Sequence, residues 1–141
     1  MAADSATNAD NLRTGVVDKI FKNIRGDLLG LCGSMALVGP FATWFLQLEQ
    51  GEKPPLLLKE RELNAMIVRV TGEIEIHEDG GKFLYCDDVS DESRYYAIGS
   101  GSGIALGAMH AGASAFDAVR AAVNHDIGTG GPIRTLRLGR D

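Results

Sequence analysis

The sequence predicts an α+β fold in which strands and helices are gathered into separate runs along the chain. The order of the elements predicts it: strands, helix, strands, two helices, strand. A length of 141 residues and a content of 45% hydrophobic residues are typical of one ordinary globular domain. Runs of strands interrupted by helices are typical of antiparallel sheets, whereas a repeated βαβ pattern would indicate a parallel sheet. A chain of this length forms one hydrophobic core, so we expect a single domain over residues 1–141.

The first half of the chain predicts a hairpin followed by a helix. Strand-like runs at 19–24 and 28–32 flank a turn at 25–27, which predicts an antiparallel pair. Four apolar residues further on share one face of a helix, which we expect Gly51 to end. These four residues are Phe41, Trp44, Phe45 and Leu48. Pro40 falls within this pattern, so the regular helix either begins there or is kinked there.

The middle of the chain predicts a meander of three strands at 65–70, 73–78 and 82–85, separated by glycine turns. The second of these strands has isoleucines on one face and polar side chains on the other. The polar side chains are Glu73, Glu75 and His77. Their period of two predicts a solvated strand face, and a metal site made by the same three groups is the alternative.

The last third begins with a predicted strand at 95–98 and a glycine-rich turn at 99–103, which leads into a helix ending near Gly112. Ser114 and Asp117 then have the three-residue spacing of a helix N-terminal cap. We expect the buried face of this second helix to hold four apolar residues. They are Phe116, Val119, Ala122 and Val123.

The chain closes with a predicted glycine-rich loop at 126–131 and a strand at 132–138. Alternation within this last strand directs Leu136 and Leu138 inward and Arg137 outward.

Charge and composition exclude several classes of partner. The chain has 14 basic and 19 acidic residues, a net charge of −5, so we expect neither nucleic acid nor a membrane surface as a partner. An uncharged stretch at 28–46 approaches the length of a membrane span, but its glycines and Pro40 indicate a strand, a turn and a helix.

Cys32 and Cys86 are expected to be free thiols in the cytoplasm, with a single disulfide as the alternative. The three histidines show no metal-ligand spacing, so we expect no metal and no cofactor.

Five short motifs follow one another in an order and spacing that resemble one known family. They are Met1-Ala2-Ala3-Asp4-Ser5, Asp18-Lys19-Ile20-Phe21-Lys22, Cys32-Gly33-Ser34, Ala97-Ile98-Gly99-Ser100-Gly101 and Asp126-Ile127-Gly128-Thr129-Gly130-Gly131. Together they resemble the proteasome β-subunits and the bacterial HslV-type peptidases. The segment 49–88 carries little of the resemblance and is shorter than in proteasome subunits.

The resemblance implies the four-layer αββα sandwich of the N-terminal nucleophile hydrolases, and peptide-bond hydrolysis as the activity. Members of this family assemble into rings and stacked rings, often with an ATP-dependent unfoldase. The resemblance therefore implies a homo-oligomer, polypeptide substrates and an unfoldase partner.

The resemblance also assigns roles to six residues around an N-terminal threonine whose own α-amine is the general base. The ammonium group of Lys19 lowers the pKa of that amine, and the carboxylate of Asp4 holds the lysine. The N–H of Gly33 stabilises the oxyanion. The outer hydrogen-bonding set consists of Ser100, Asp126 and Thr129, the last at a position where the family usually has serine.

Simpler structural roles stand beside four of these assignments. Lys19 also fits a strand lysine whose charged end reaches water, and Gly33 a turn glycine. Ser100 also fits a helix cap, and Asp126 a turn residue.

The resemblance places the catalytic threonine upstream of Met1, so we expect no threonine-peptidase turnover from the chain as written. A start-site error and a natural truncation are the two explanations, and the missing strand would leave 2–5 as an unpaired edge. A non-catalytic assembly or scaffold subunit on the same fold is the alternative function. A third hypothesis, nucleotide binding by the turn 99–103, lacks the lysine of a P-loop.

Overall fold

The structure is a computed structural model that describes residues 1–9, 12–54, 57–58, 61–78, 81–85 and 95–141. The strands within these residues are β1 (Ala2–Ala3), β2 (Ala6–Ala9), β3 (Leu12–Val16), β4 (Ile20–Lys22), β5 (Leu28–Gly33), β6 (Leu57–Leu58), β7 (Arg61–Val68), β8 (Ile74–Glu78), β9 (Gly81–Tyr85) and β10 (Arg134–Thr135). The helices are α1 (Met35–Leu46), α2 (Ser102–His110) and α3 (Ala115–His125).

The chain folds into two compact units. The helix-pair unit consists of Met1–Asp18 and Asp87–Thr135 and contains α2, α3 and strands β1, β2, β3 and β10. The sheet unit consists of Lys19–Cys86 and Leu136–Asp141 and contains α1 and strands β4 to β9. Strand pairing in the described residues is antiparallel throughout, which confirms the predicted mixture of helices with antiparallel sheets. The expectation of a single domain stays a prediction.

The sheet unit is built on one antiparallel sheet with the strand order β4-β5-β7-β8-β9 and with β6 beside β7. Its register places Leu31 opposite Ala65, and Ala65 opposite His77. Side chains in one such row lie on the same face of the sheet. Phe41 and Phe45 of α1 belong to the same buried cluster as Leu31 and Ala65, so α1 covers this face.

The predicted hairpin at the start of the sheet unit is confirmed as β4 and β5, although β4 is shorter than expected. Its turn is closed by the side-chain oxygen of Asn23, which accepts hydrogen bonds from the N–H groups of Arg25 at 2.9 Å and Asp27 at 3.1 Å. An asparagine that bonds to its own following backbone is a common way to fix such a turn.

Helix α1 contains Pro40 in its interior and ends earlier than predicted. It starts at Met35 and continues through Pro40, so of the two alternatives a start at the proline is wrong, and a kink there stays a prediction. It stops at Leu46 rather than at Gly51, because Leu48 and Glu49 adopt left-handed backbone angles, with φ of 59° and 63°. The N–H of Glu49 bonds to the Trp44 carbonyl at 2.9 Å and closes the helix end.

The helix-pair unit confirms the cap at Ser114 and corrects the face predicted for α3. The Ser114 hydroxyl accepts from the Asp117 N–H at 3.1 Å and donates to its carboxylate at 2.7 Å. Ala122 is buried as predicted, whereas Phe116 is exposed, Val119 and Val123 are half-buried, and Ala118 is buried although it was not predicted. Small residues allow the two helices to approach closely, and Ala118 packs with Ala105 of α2.

Two strand predictions in the last third of the chain are also corrected. Residues 95–98 do not belong to any of the strands in the described residues. The closing strand is limited to β10, and Leu138 lies beyond it and is exposed. Residues 2–3 form β1, which pairs with β10 in a two-stranded sheet, and the unpaired edge expected at 2–5 stays a prediction.

The uncharged stretch 28–46 forms β5 and α1, as predicted. Among the described residues, no helix combines the length and the apolar composition that crossing a bilayer requires.

Candidate functional site

A cluster of polar groups in the helix-pair unit is centred on Asp126, the C-cap residue directly after α3. One carboxylate oxygen, Oδ2, accepts a hydrogen bond from the Ser100 hydroxyl at 2.7 Å and another from the Thr129 hydroxyl at 2.6 Å. The hydrogen bonds from Thr129 and Ser100, with a further one from the Gly128 N–H, lower the pKa of Asp126. Asp126 is therefore an ionised acceptor at neutral pH.

The orientation of the two hydroxyl groups defines what this cluster can bind. A hydroxyl has one hydrogen to donate and two lone pairs that accept. Because Ser100 and Thr129 both donate to Asp126, their oxygens are left as acceptors. A ligand that engages both oxygens must supply hydrogens, as an amine or an ammonium group does.

Close packing at Gly128 holds the loop 126–131 against these side chains. A Cβ atom at Gly128 would overlap with the Ser100 hydroxyl and would lie 3.2 Å from Asp126 Oδ2. Only glycine therefore allows the backbone to approach the cluster this closely.

The N-terminal segment fixes the same loop from another side. Asp4 Oδ2 accepts from the Gly130 N–H at 2.9 Å, and the Gly130 carbonyl accepts from the N–H groups of Ser5 at 3.1 Å and Ala6 at 2.9 Å. The side-chain amide of Asn8 donates to the Gly128 carbonyl at 2.8 Å. The structure thus brings four of the six predicted site residues into one unit: Asp4, Ser100, Asp126 and Thr129.

Lys19 and Gly33, the other two predicted residues, belong to the sheet unit. Lys19 directly precedes β4, and its carbonyl accepts from the Leu31 N–H at 2.8 Å. Gly33 ends β5 with a φ of 113°, and a Cβ atom there would overlap with the Glu62 carbonyl oxygen. The turn-glycine role of Gly33 is therefore confirmed, while the catalytic roles of both residues stay predictions.

The sheet unit contains a second polar cluster that the sequence did not predict, centred on Arg69. The guanidinium group of Arg69 donates a hydrogen bond to Glu75 at 2.7 Å. Two of its nitrogens donate to the carboxylate of Glu49, one of them at 2.9 Å. The same group lies 3.4 Å from the carboxylate of Asp27. Burial opposes the charge of Arg69, but its hydrogen bonds to Glu49 and Glu75 outweigh that effect and raise its pKa. A cleft of about 260 Å³ beside Arg69 is lined by both acidic and basic residues.

The polar face predicted for β8 is buried, so the expectation of a solvated face is wrong for two of its three residues. Glu75 is 6% exposed and His77 is 2% exposed, whereas Glu73 is exposed. The imidazole of His77 lies 3.2 Å from Glu75 and 3.4 Å from the Lys53 ammonium group, and its ring contacts Phe41 edge-on. Burial lowers the pKa of His77, which favours the neutral ring.

The described residues also give the metal alternative for this strand no support, since no three of their histidine, cysteine, aspartate or glutamate side chains are placed to hold a metal ion. Arg69 occupies the Glu75 carboxylate that such a site would need.

One sequence signal points to the Arg69 cluster: Arg69 precedes the turn that joins β7 to β8, so it lies next to the acidic residues of β8. The burial itself depends on α1, which is distant in the sequence.

Comparison with known proteins establishes the fold and no closer relationship. No protein-family model matches the chain, and no curated protein matches it. The chain is similar to the solved structure of BPH from Thiobacillus denitrificans, with a TM-score of 0.69 and 22% identity over 99% of this chain and 92% of BPH. It is similar as well to Thiobacillus denitrificans BPH in complex with epoxomicin, with a TM-score of 0.67 and 22% identity over 94% of this chain and 88% of that one.

Proposed function

We propose that the chain is a subunit of a proteasome-like threonine peptidase with the four-layer αββα sandwich of the N-terminal nucleophile hydrolases. The observation that carries the proposal is the Asp126 cluster, in which one carboxylate oxygen orients the hydroxyl groups of Ser100 and Thr129. Their oxygens remain as acceptors for an amine, and a hydrolase that uses its own α-amine as a base needs such acceptors.

In the proposed reaction, the α-amine of an N-terminal threonine binds to these two oxygens and takes the proton of the threonine hydroxyl. The hydroxyl oxygen attacks the peptide carbonyl, the amine passes its proton to the leaving nitrogen, and water then hydrolyses the ester. Lys19 and Asp4 keep the roles that the sequence resemblance gives them, lowering the pKa of the amine and holding the lysine. The Gly33 N–H stabilises the oxyanion, an interaction worth about 3–4 kcal/mol.

The contacts of Asp4 add a second role to this proposal. Because Asp4 accepts from the Gly130 N–H, its carboxylate also fixes the loop that carries Thr129. Loss of this carboxylate would therefore displace part of the amine-binding cluster as well as affect the lysine.

The likeness to BPH supports the proposal at the level of the fold, since it extends over nearly the whole of both chains. Epoxomicin is bound in one BPH structure, so we propose it as the first ligand to test on this chain. We also propose, from the sequence resemblance, a homo-oligomeric ring, polypeptide substrates and an ATP-dependent unfoldase as partner.

The test is hydrolysis of a fluorogenic peptide by this chain and by a form extended at its N-terminus with a strand that begins in threonine. We expect hydrolysis from the extended form, and we expect Asp126→Asn to lower its kcat/KM about 100-fold. Asp117→Asn is the matched control, because Asp117 also accepts a serine hydroxyl at 2.7 Å but belongs to the α3 cap. A folded extended form without hydrolysis would contradict the proposal and favour the non-catalytic scaffold.

A further inference from the structure

His77 lies between a hydrogen-bond acceptor and a hydrogen-bond donor, and these two neighbours fix the state of its ring. Its Nε2 atom lies 3.2 Å from Glu75 Oε2, and its Nδ1 atom lies 3.4 Å from the ammonium nitrogen of Lys53. An ionised carboxylate only accepts hydrogen bonds, and an ammonium group only donates them. Both contacts are therefore made by one form of the ring alone, the neutral tautomer with its hydrogen on Nε2 and a lone pair on Nδ1.

The contact at Nδ1 holds the segment 50–54, which follows the end of α1. This segment contains no helix or strand. Among the described residues, the only hydrogen bond made by a side chain of this segment is that of Lys53. Glu49, just before the segment, is held separately, because its carboxylate accepts from Arg69 at 2.9 Å. The position of the segment beyond Glu49 therefore depends on the lone pair of His77.

We propose that His77 and Lys53 form a latch that opens in acid, in which a solvent proton on His77 Nδ1 releases Lys53 together with the segment 50–54. The proton binds to the lone pair that holds the ammonium group, so a hydrogen bond is replaced by two cations that face each other. Lys53 is the partner that moves, because it is half-buried on a segment without regular structure, whereas His77 is 2% exposed on β8. The latch does not depend on the proposed hydrolase activity.

The other groups around His77 leave the contact at Nδ1 as the one that breaks. Three charged groups of the described residues face the ring: Glu75 on β8, Lys82 opposite His77 on β9, and Lys53. The uncharged neighbours are Phe41 and Trp44 of α1 and Ala65 of β7. Glu75 is held by Arg69 at 2.7 Å, so it stays in place as the acceptor for Nε2 of the protonated ring.

The same surroundings keep the latch closed at neutral pH. Burial, and then the charges of Lys53 and Lys82, outweigh the effect of Glu75 and lower the pKa of His77 below its ordinary value of 6.5. The ring is therefore neutral at pH 7, and it gains its proton only in acid. A buried histidine that changes a contact when it gains a proton is a common element of pH-sensitive proteins.

Heteronuclear NMR on the full chain, from about pH 8 to about pH 4.5, tests the latch. The nitrogen chemical shifts of His77 report its tautomer and its titration midpoint, and ¹⁵N relaxation reports the mobility of residues 51–53. At pH 8 we expect the Nε2–H tautomer and an ordered segment, with order parameters of about 0.85. As His77 gains its proton, we expect the order parameters of the segment to fall below about 0.6, with the same midpoint as the imidazole.

Three variants separate the latch from a general effect of acid. Lys53→Met removes the ammonium group, so the pKa of His77 should rise and the segment should be mobile at every pH. His77→Gln retains a side-chain oxygen as an acceptor but cannot gain a proton, so the segment should stay ordered in acid. Lys82→Met is the matched control, because it removes a cation near the ring that does not contact Nδ1. This control should raise the pKa of His77 and leave the segment ordered at pH 8.

The two lysine variants keep the test independent of any folding defect in His77→Gln, because neither lysine is a core residue. Four results would each overturn the proposal. They are an Nδ1–H tautomer at pH 8, a ring that stays neutral over the whole pH range, a segment that stays ordered while His77 titrates, and a segment in Lys53→Met as ordered as in the unmodified chain.

Discussion

Replacing Arg69 with methionine is expected to destabilise the sheet unit strongly. The substitution keeps an unbranched apolar stem but removes the guanidinium group that contacts Asp27, Glu49 and Glu75. Asp27 and Glu75 are buried carboxylates, so their charges would lose a partner without gaining access to water. Removing one member of a buried ion pair is costly for this reason.

The magnitude follows from the burial of the three partners. The Arg69 side chain is only 13% exposed, so water screens its interactions weakly. Loss of one partner from a buried pair costs about 3–5 kcal/mol of unfolding free energy. Glu49 is more exposed than the other two carboxylates, so we expect it to contribute least. At this chain length each kcal/mol corresponds to about 3–4 °C, so the midpoint of thermal unfolding should fall by about 10–20 °C.

The loss should depend on pH. Burial would raise the pKa of Glu75, but the hydrogen bond from Arg69 outweighs it and lowers the pKa below the ordinary value of 4.5. The stabilisation from Glu75 is therefore present above pH 4.5 and is lost as the pH falls through the lower folded value. In Arg69→Met, Glu75 keeps His77 and Lys82 as neighbours but loses the guanidinium group, so we expect its pKa to rise and the difference between the two proteins to shrink in acid.

Thermal unfolding followed by circular dichroism between pH 4 and pH 7 measures both effects. Arg25→Met is the matched control, because the exposed Arg25 side chain makes no ion pair in the described part of the chain. We expect this control to change stability by less than about 0.5 kcal/mol. A midpoint for Arg69→Met within about 3 °C of the unmodified protein would refute the reasoning.

Three further predictions concern other parts of the molecule. Burial lowers the pKa of His77 below its ordinary value of 6.5, so the free energy of unfolding should fall as the pH drops below 6.5. His77→Gln should flatten this part of the pH–stability curve. An unchanged curve would contradict the role of His77. Ser114→Ala removes the α3 cap and should cost about 1 kcal/mol in urea unfolding, whereas no change would show that the cap is not stabilising. In the threonine-extended form, Lys19→Ala should abolish peptide hydrolysis while the circular dichroism spectrum is retained, and residual cleavage would contradict the role of Lys19.

The parts of the fold that could be predicted are those fixed by local sequence. The hairpin of β4 and β5 depends on a short turn closed by Asn23, and the start of α3 depends on Ser114 and Asp117, three residues apart. The glycines at 128, 130 and 131 predict the loop 126–131. Each of these features is encoded within a few neighbouring residues, and so it is visible without the rest of the chain.

The parts that could not be predicted depend on distant contacts. The alternation of residues in β8 predicts a solvated face. It cannot reveal that α1 covers His77, which lies on the same face of the sheet as Leu31 and Ala65. The contact between Asn8 and Gly128 joins residues 120 positions apart. The strand expected at 95–98 failed for a similar reason, since a strand needs a partner that its own sequence does not reveal.

A crystal structure of the threonine-extended form would test the amine-binding role of the Asp126 cluster most directly. The distances to measure are those from the terminal nitrogen to Ser100 Oγ and to Thr129 Oγ1. We predict that both are about 3 Å, within hydrogen-bond range, with both hydroxyl groups still bonded to Asp126. A terminal nitrogen bonded elsewhere, with the two hydroxyl oxygens facing only water, would contradict the account.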